Sequence, residues 1–120
     1  METRIRNAII ENISLRISDG VLTVWLHLKY GDKTEQSFGG YALYLSKVYK
    51  HHTNKGDLAG HFIYRCMEIA DVENWKDIKG KSIRIEYEEG VGFERKILAI
   101  GHIIENDWFN PSEDFGRILK

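Results

Sequence analysis

Between Asn7 and Tyr30 the chain alternates in hydropathy on either side of a Ser18-Asp19-Gly20 turn. That period of two puts Ile9, Ile13, Leu15 and Ile17 on one side of a first strand, and Leu22, Val24, Leu26 and Leu28 on one side of a second. Asp19-Gly20 suits a two-residue type I′ loop, whose twist matches that of paired antiparallel strands. The chain is thereby committed to a hairpin with one face to bury, and the remaining residues must supply the cover.

A third run, about residues 34–45, follows the turn at residues 30–33 and extends the hairpin into a meander; it contains Gly39-Gly40. Glycines within a strand mark a bend or a place where something approaches the backbone closely. Here they either let the strand turn sharply or admit a ligand or a second chain. The reading adopted is a sharp turn into the long polar loop SKVYKHHTNKGD, residues 46–57, which acts as a lid or reaches across a subunit interface.

Leu58, Phe62, Cys66 and Ile69 follow helical spacing, with Ile63, Met67 and Ala70 widening the stripe and Asp57 as the N-terminal cap. A turn ending at Gly80 leads to a strand with Ile83, Ile85 and Tyr87 on one face. The next run, residues 93–104, is expected to alternate Phe93, Arg95, Ile97 and Ala99 against Glu94, Lys96, Leu98 and Ile100. Asn110-Pro111 with Glu113 signals a short terminal helix. The expected architecture is a single α+β domain over residues 1–120: about five mostly antiparallel strands, one main helix packed on the sheet and a short C-terminal helix.

Charge excludes some partners. With 17 basic and 18 acidic residues the net charge is -1, so no global field draws the chain to a nucleic acid backbone, and no direct nucleic acid partner is expected. Apolar runs are too short to span a membrane and the first residues lack a signal-peptide pattern, so a cytoplasmic location is expected. The single cysteine, Cys66, cannot form an internal disulfide, and its apolar helical setting suits a buried thiol.

No catalytic signature emerges. The five histidines show no metal-ligand spacing, G-x-S-x-G is absent, Glu88-Glu89 falls in a turn, and NKGDLAGH lacks the spacing of a phosphate-binding loop. Neither an enzyme, a metal nor a cofactor is expected. Basic and aromatic residues do interleave in the second half, through Tyr64, Arg65, Trp75, Arg84, Phe93, Arg95, Lys96, Trp108 and Phe109. That mixture suits stacking on a base and pairing with phosphate, although Trp75, Trp108 and Phe109 are better explained as core or interface anchors and many of the lysines as ordinary surface charge.

The segments FGGYALYL, GHFIYRCMEIADVENWKDIKGKSIRI and IGHIIENDWFNP resemble a family of small phage and prophage proteins over about residues 13 to 115. Small phage proteins of this size are often counter-defence factors. Among those, the Thoeris anti-defence sponges are similar in length and in having a β-sheet domain with helical parts; they capture cyclic ADP-ribose-type signals without cleaving them. The resemblance implies sequestration of a nucleotide-derived immune signal in the cytoplasm of an infected bacterium. Phe93 would then hold adenine, Arg65 and Arg95 the pyrophosphate and Asn106 a ribose, with no catalytic group. Exposed edges and surplus aromatics suggest a homo-oligomer. The alternative is an anti-CRISPR type inhibitor that binds a host protein through Trp75, Trp108 and the KVYKHH loop.

Overall fold

The computed structural model describes residues 3–31, 33–43, 58–88 and 96–118. In chain order these form β1 (Thr3–Ser18), β2 (Val21–Tyr30), β3 (Thr34–Gly39), α1 (Leu58–Ala70), a 3-10 turn at Trp75–Asp77, β4 (Ser82–Glu88), β5 (Lys96–Gly101), β6 (Trp108–Phe109) and α2 (Pro111–Ile118). The fold is α+β, with a six-stranded antiparallel sheet in the order β3-β2-β1-β4-β5-β6. The sixth strand is an addition to the expected five. It is only two residues long, too short to leave a periodic signal.

The type I′ expectation at the first hairpin agrees with positive φ at both Asp19 and Gly20. The single apolar face expected for β1 does not. Ile10 pairs with Leu28, but Asn12 pairs with His27, so Glu11 is an extra residue that reverses the alternation. Ala8 and Ile10 therefore enter the core while Ile9 lies on the opposite face, 47% exposed. Beyond the bulge Ile13, Leu15 and Ile17 return to the core face, yet Leu15 and Ile17 remain exposed. The first half of β1 pairs with β4, and only its second half pairs fully with β2.

A second register shift, at Glu86/Tyr87, breaks the alternation expected in β5. Ile85 pairs with Ile100 and Tyr87 with Ile97, so both isoleucines are buried despite their spacing of three.

α1 behaves as its stripe requires: Leu58, Phe62, Cys66 and Ile69 are all buried against the sheet. Phe62 stacks on Phe38 and meets Phe109 edge-on, joining β3 to β6 through one ring. α2 docks beside it through Phe115, which packs on Tyr41, His61 and Phe62. Its start is capped as expected, with the Glu113 amide donating to Asn110 Oδ1 at 3.2 Å. Both helices lie on one face of the sheet. Among the described residues no helix covers the other face, where Ile5 is 56% exposed.

At Gly39-Gly40 something does approach the backbone, and it is the chain itself. φ is +130° at Gly39 and +73° at Gly40. A Cβ on Gly39 would collide with the Val24 carbonyl, and one on Gly40 with the Trp25 indole. β3 ends there, and the Gly40 amide donates to Val24 O at 3.0 Å. The loop of residues 46–57 and the Asp57 cap lie outside the described residues.

Candidate functional site: a braced loop beside an acidic cleft

Between β5 and β6 the chain runs out through His102–Asp107 and returns. Three devices fix this loop. The His102 amide donates to Asp107 O at 2.9 Å, closing its base. Inside it, the amides of Ile104 and Glu105 donate to His102 Nδ1 at 3.1 and 3.0 Å, which puts the proton of the neutral ring on Nε2. From β4, Arg84 donates through Nε to His102 O at 2.7 Å and through Nη2 to Glu105 O at 2.6 Å. The same guanidinium lies 4.9 Å from the centroid of the Trp108 ring.

Arg65 braces the far end from α1. Its Nη2 donates to Asp107 Oδ1 and to Trp108 O, both at 2.9 Å, while Nη1 donates to Glu68 Oε1 at 2.8 Å. Burial disfavours its charge, but the hydrogen bonds and charges of Asp107 and Glu68 outweigh this and raise its pKa above the ordinary arginine value. Charge-assisted bonds of this kind contribute about 1.5–3 kcal/mol each when well formed.

The loop holds Ile104 with 82% of its surface exposed. Beneath it, an open cleft of about 780 Å³ is lined by Met67, Val72, His102, Ile104 and the carboxylates of Glu68, Asp71, Glu73, Glu105 and Asp107. Asp71 enters the cleft because α1 ends there. Its φ is +60°, and the Val72 amide closes the helix onto Met67 O at 3.0 Å, with the Asp71 amide on Glu68 O. The Asp71 carboxylate faces His102 Nε2 at 3.8 Å.

The sequence-derived ligand residues fall into three situations. Arg65 does not line the cleft; it holds two of the carboxylates that do, Glu68 and Asp107, and donates to Trp108 O. Asn106 is exposed in the same loop, next to the aspartate that Arg65 holds. Phe93 and Arg95 lie outside the described residues. Arg84 was noticed only as one of the interleaved basic and aromatic residues, and sequence reasoning gave no role to His102 or Ile104. The signal present was the run I-G-H-I-I, in which glycine precedes a histidine in a strand-to-loop transition.

Chemically the site offers hydrogen bonding, negative charge and one apolar anchor. Cys66 is buried and desolvation pushes its thiol well up, so it stays protonated near neutral pH. Among the described residues no three histidine, cysteine or acidic side chains converge in a way that could hold a metal ion. The described histidines are hydrogen-bonded: His27 to Ser37, His61 to Asp114, and His102 to its own loop. No helix among the described residues is long and apolar enough to cross a membrane.

No family model matches the chain, and no curated protein is significantly similar to it.

Proposed function

We propose that the protein is a counter-defence factor that acts by binding, and that it binds a protein partner through the His102–Asp107 loop. One observation carries this reading: a large apolar side chain, Ile104, is exposed on a loop fixed by Arg84, His102 and Arg65. A fixed anchor loses little conformational entropy on docking, which is how a small contact becomes a strong one. Arg65 pairs with Glu68 and Asp107, and the other three carboxylates of the cleft, Asp71, Glu73 and Glu105, suit a basic surface, such as the nucleic acid channel of a defence nuclease. Inhibition would follow from occupancy, with no chemical step.

A second reading is sequestration of a nucleotide-derived signal, for which the support is that Arg65 bonds to Asp107 and Asn106 is the exposed residue next to it. It needs Phe93 and Arg95 to complete the pocket and Arg65 to exchange a carboxylate for a phosphate.

One experiment separates the two. The purified protein is incubated with cyclic ADP-ribose isomers and cyclic oligonucleotides, freed of unbound material and heated; in parallel, phage are plated on strains carrying single defence systems with wild-type protein or Ile104→Asp. Phage rescue that is lost in Ile104→Asp, with no nucleotide released on heating, supports protein binding. Intact nucleotide recovered from the heated protein would overturn it in favour of sequestration.

A further inference from the structure

β1 spans Thr3–Ser18, but β4 pairs only with Thr3–Ile9, which among the described residues leaves the second half of β1 open on the side away from β2. β4 accompanies it only as far as Ile9, with Lys81 O and the Gly80 amide continuing to Ile10. From Asn12 to Ser18 no described residue pairs with the side of β1 facing away from β2.

The hydrogen-bond phase of that edge can be read from its neighbour. Val24 O and Leu22 O point toward β3, where they accept from the amides of Gly40 and Leu43. Thr23 and Trp25 must then face β1, so their partners Arg16 and Ser14 carry the ladder bonds between β1 and β2. The contact of Thr23 Oγ1 with Arg16 O agrees. By alternation Ile13, Leu15 and Ile17 direct their amides and carbonyls outward, and the Ile13 amide is indeed turned onto Asn12 Oδ1 at 2.9 Å.

The same three residues point their side chains to the core face, where Leu15 is 49% and Ile17 73% exposed. An edge that no described residue pairs with, whose outward amides at Leu15 and Ile17 have no bond like that of Ile13 to Asn12 and whose apolar side chains are exposed, is a template for another strand. Its sequence selects the occupant. With Leu15 opposite Leu15 of a second copy, Ile13 meets Ile17, Ser14 meets Arg16, and Asn12 meets Ser18. Every apolar residue then faces an apolar one on the same side of the sheet. Sliding two residues one way sets Arg16 against Arg16; sliding the other way sets Ile17 against Glu11. The favoured register also brings the exposed Asp19 turn, which falls opposite Glu11 of the other copy, end to end with that copy's Lys79–Lys81 segment, whose two lysines are of opposite charge to both carboxylates.

We infer that the protein forms a two-fold symmetric dimer by antiparallel pairing of β1, residues 12–18, about an axis at Leu15, joining the two sheets into one. The interface is short, so dimerisation should depend on concentration in the micromolar range, on the order of 1–100 µM.

Sedimentation velocity of the full chain from about 5 to 500 µM tests this, together with two variants. Wild type should shift from monomer to dimer. Leu15→Lys, which sets two ammonium groups against each other at the axis, should weaken association at least tenfold while leaving the circular dichroism spectrum unchanged. Leu15→Cys should cross-link to itself under mild oxidation, because directly paired residues on such an edge have Cα atoms about 5.5 Å apart. The native Cys66 is buried and will not contribute. Ile5→Cys, exposed on the opposite face, is the control and should cross-link far less. A wild type that stays monomeric at the highest concentration overturns the inference, as does a dimer that Leu15→Lys leaves intact or in which Ile5→Cys cross-links as readily as Leu15→Cys.

Discussion

The Trp108 indole covers Gly101 on the neighbouring strand so closely that a Cβ at Gly101 would come within 2.7 Å of its ring carbons. Arg84 lies against the same ring while holding the carbonyls of His102 and Glu105. The glycine therefore sets the height of the indole, and the indole sets the position of the guanidinium that braces the loop. Gly101→Ala should displace the ring and cost about 1–3 kcal/mol by the overpacking it forces. Thermal unfolding would show this, and in a Trp108→Leu background the penalty should shrink.

A parallel arrangement occurs near the other end of the sheet, where Trp25 lies over Gly40. Here the cost of losing glycine has two parts, left-handed backbone strain and the steric block. Gly80 separates them, since its φ is +91° but nothing lies within 4 Å of where its Cβ would be. Gly80→Ala should cost about 1–2 kcal/mol from backbone strain alone. Gly40→Ala should cost at least about 1 kcal/mol more, because the indole must move as well. Equal losses in denaturant titrations would show that Trp25 is free to yield.

How much of this was legible in the sequence depends on what carries each feature. The α1 stripe and the Asn110 cap were readable because their causes are local: helical spacing in one case, one side chain reaching an amide three residues on in the other. The face of Ile9 was misassigned because Ile9 and Ile10 are both apolar and fit either phase; the change from Ala8 and Ile10 to Ile13, Leu15 and Ile17 across Glu11 is the trace the bulge leaves. Gly39-Gly40 announced a close approach, but not that the Val24 carbonyl and the Trp25 indole, fifteen residues before Gly39 and Gly40 respectively, were what approached. The candidate site was least legible. Arg84, His102 and Ile104 matter through bonds to backbone carbonyls and amides, and any residue can supply those groups. Arg65 was noticed for its charge, whereas its observed partners are two carboxylates and a carbonyl.

The braced loop makes its own prediction. Lysine cannot reproduce the two-pronged contact of Arg84 with carbonyls three residues apart, since its donors radiate from a single nitrogen. Arg84→Lys should therefore speed amide hydrogen exchange at Ile104 and Glu105 while the exchange of β4 and α1 amides stays near wild type. Ile104→Asp, by contrast, removes an exposed side chain with no packing partner in the core and should leave stability within about 0.5 kcal/mol. Any loss of binding in that variant would then report on the contact surface and not on folding.

Acid should loosen the attachment of α2. Asp114 accepts from His61 Nε2 at 2.8 Å and from Arg117 Nη2 at 2.7 Å. Burial acts to raise its pKa, but these two hydrogen bonds and the accompanying charges prevail, and the carboxyl is held below the ordinary aspartate value. A group depressed in the folded state takes up protons more readily when unfolded, so its contribution is complete above about pH 4 and is lost as pH falls through the lower, folded value. Asp114→Asn should be less stable than wild type at pH 6, with the gap narrowing below about pH 4 as the wild-type carboxylate is protonated. Urea titrations at pH 6, 4 and 3 would measure it. The mutated helix still carries Phe115 against Tyr41 and Phe62, so the expected change is a weakened dock for α2 with the sheet intact. A stability gap that stays constant across the three pH values would show that His61 and Arg117 do not hold the charge.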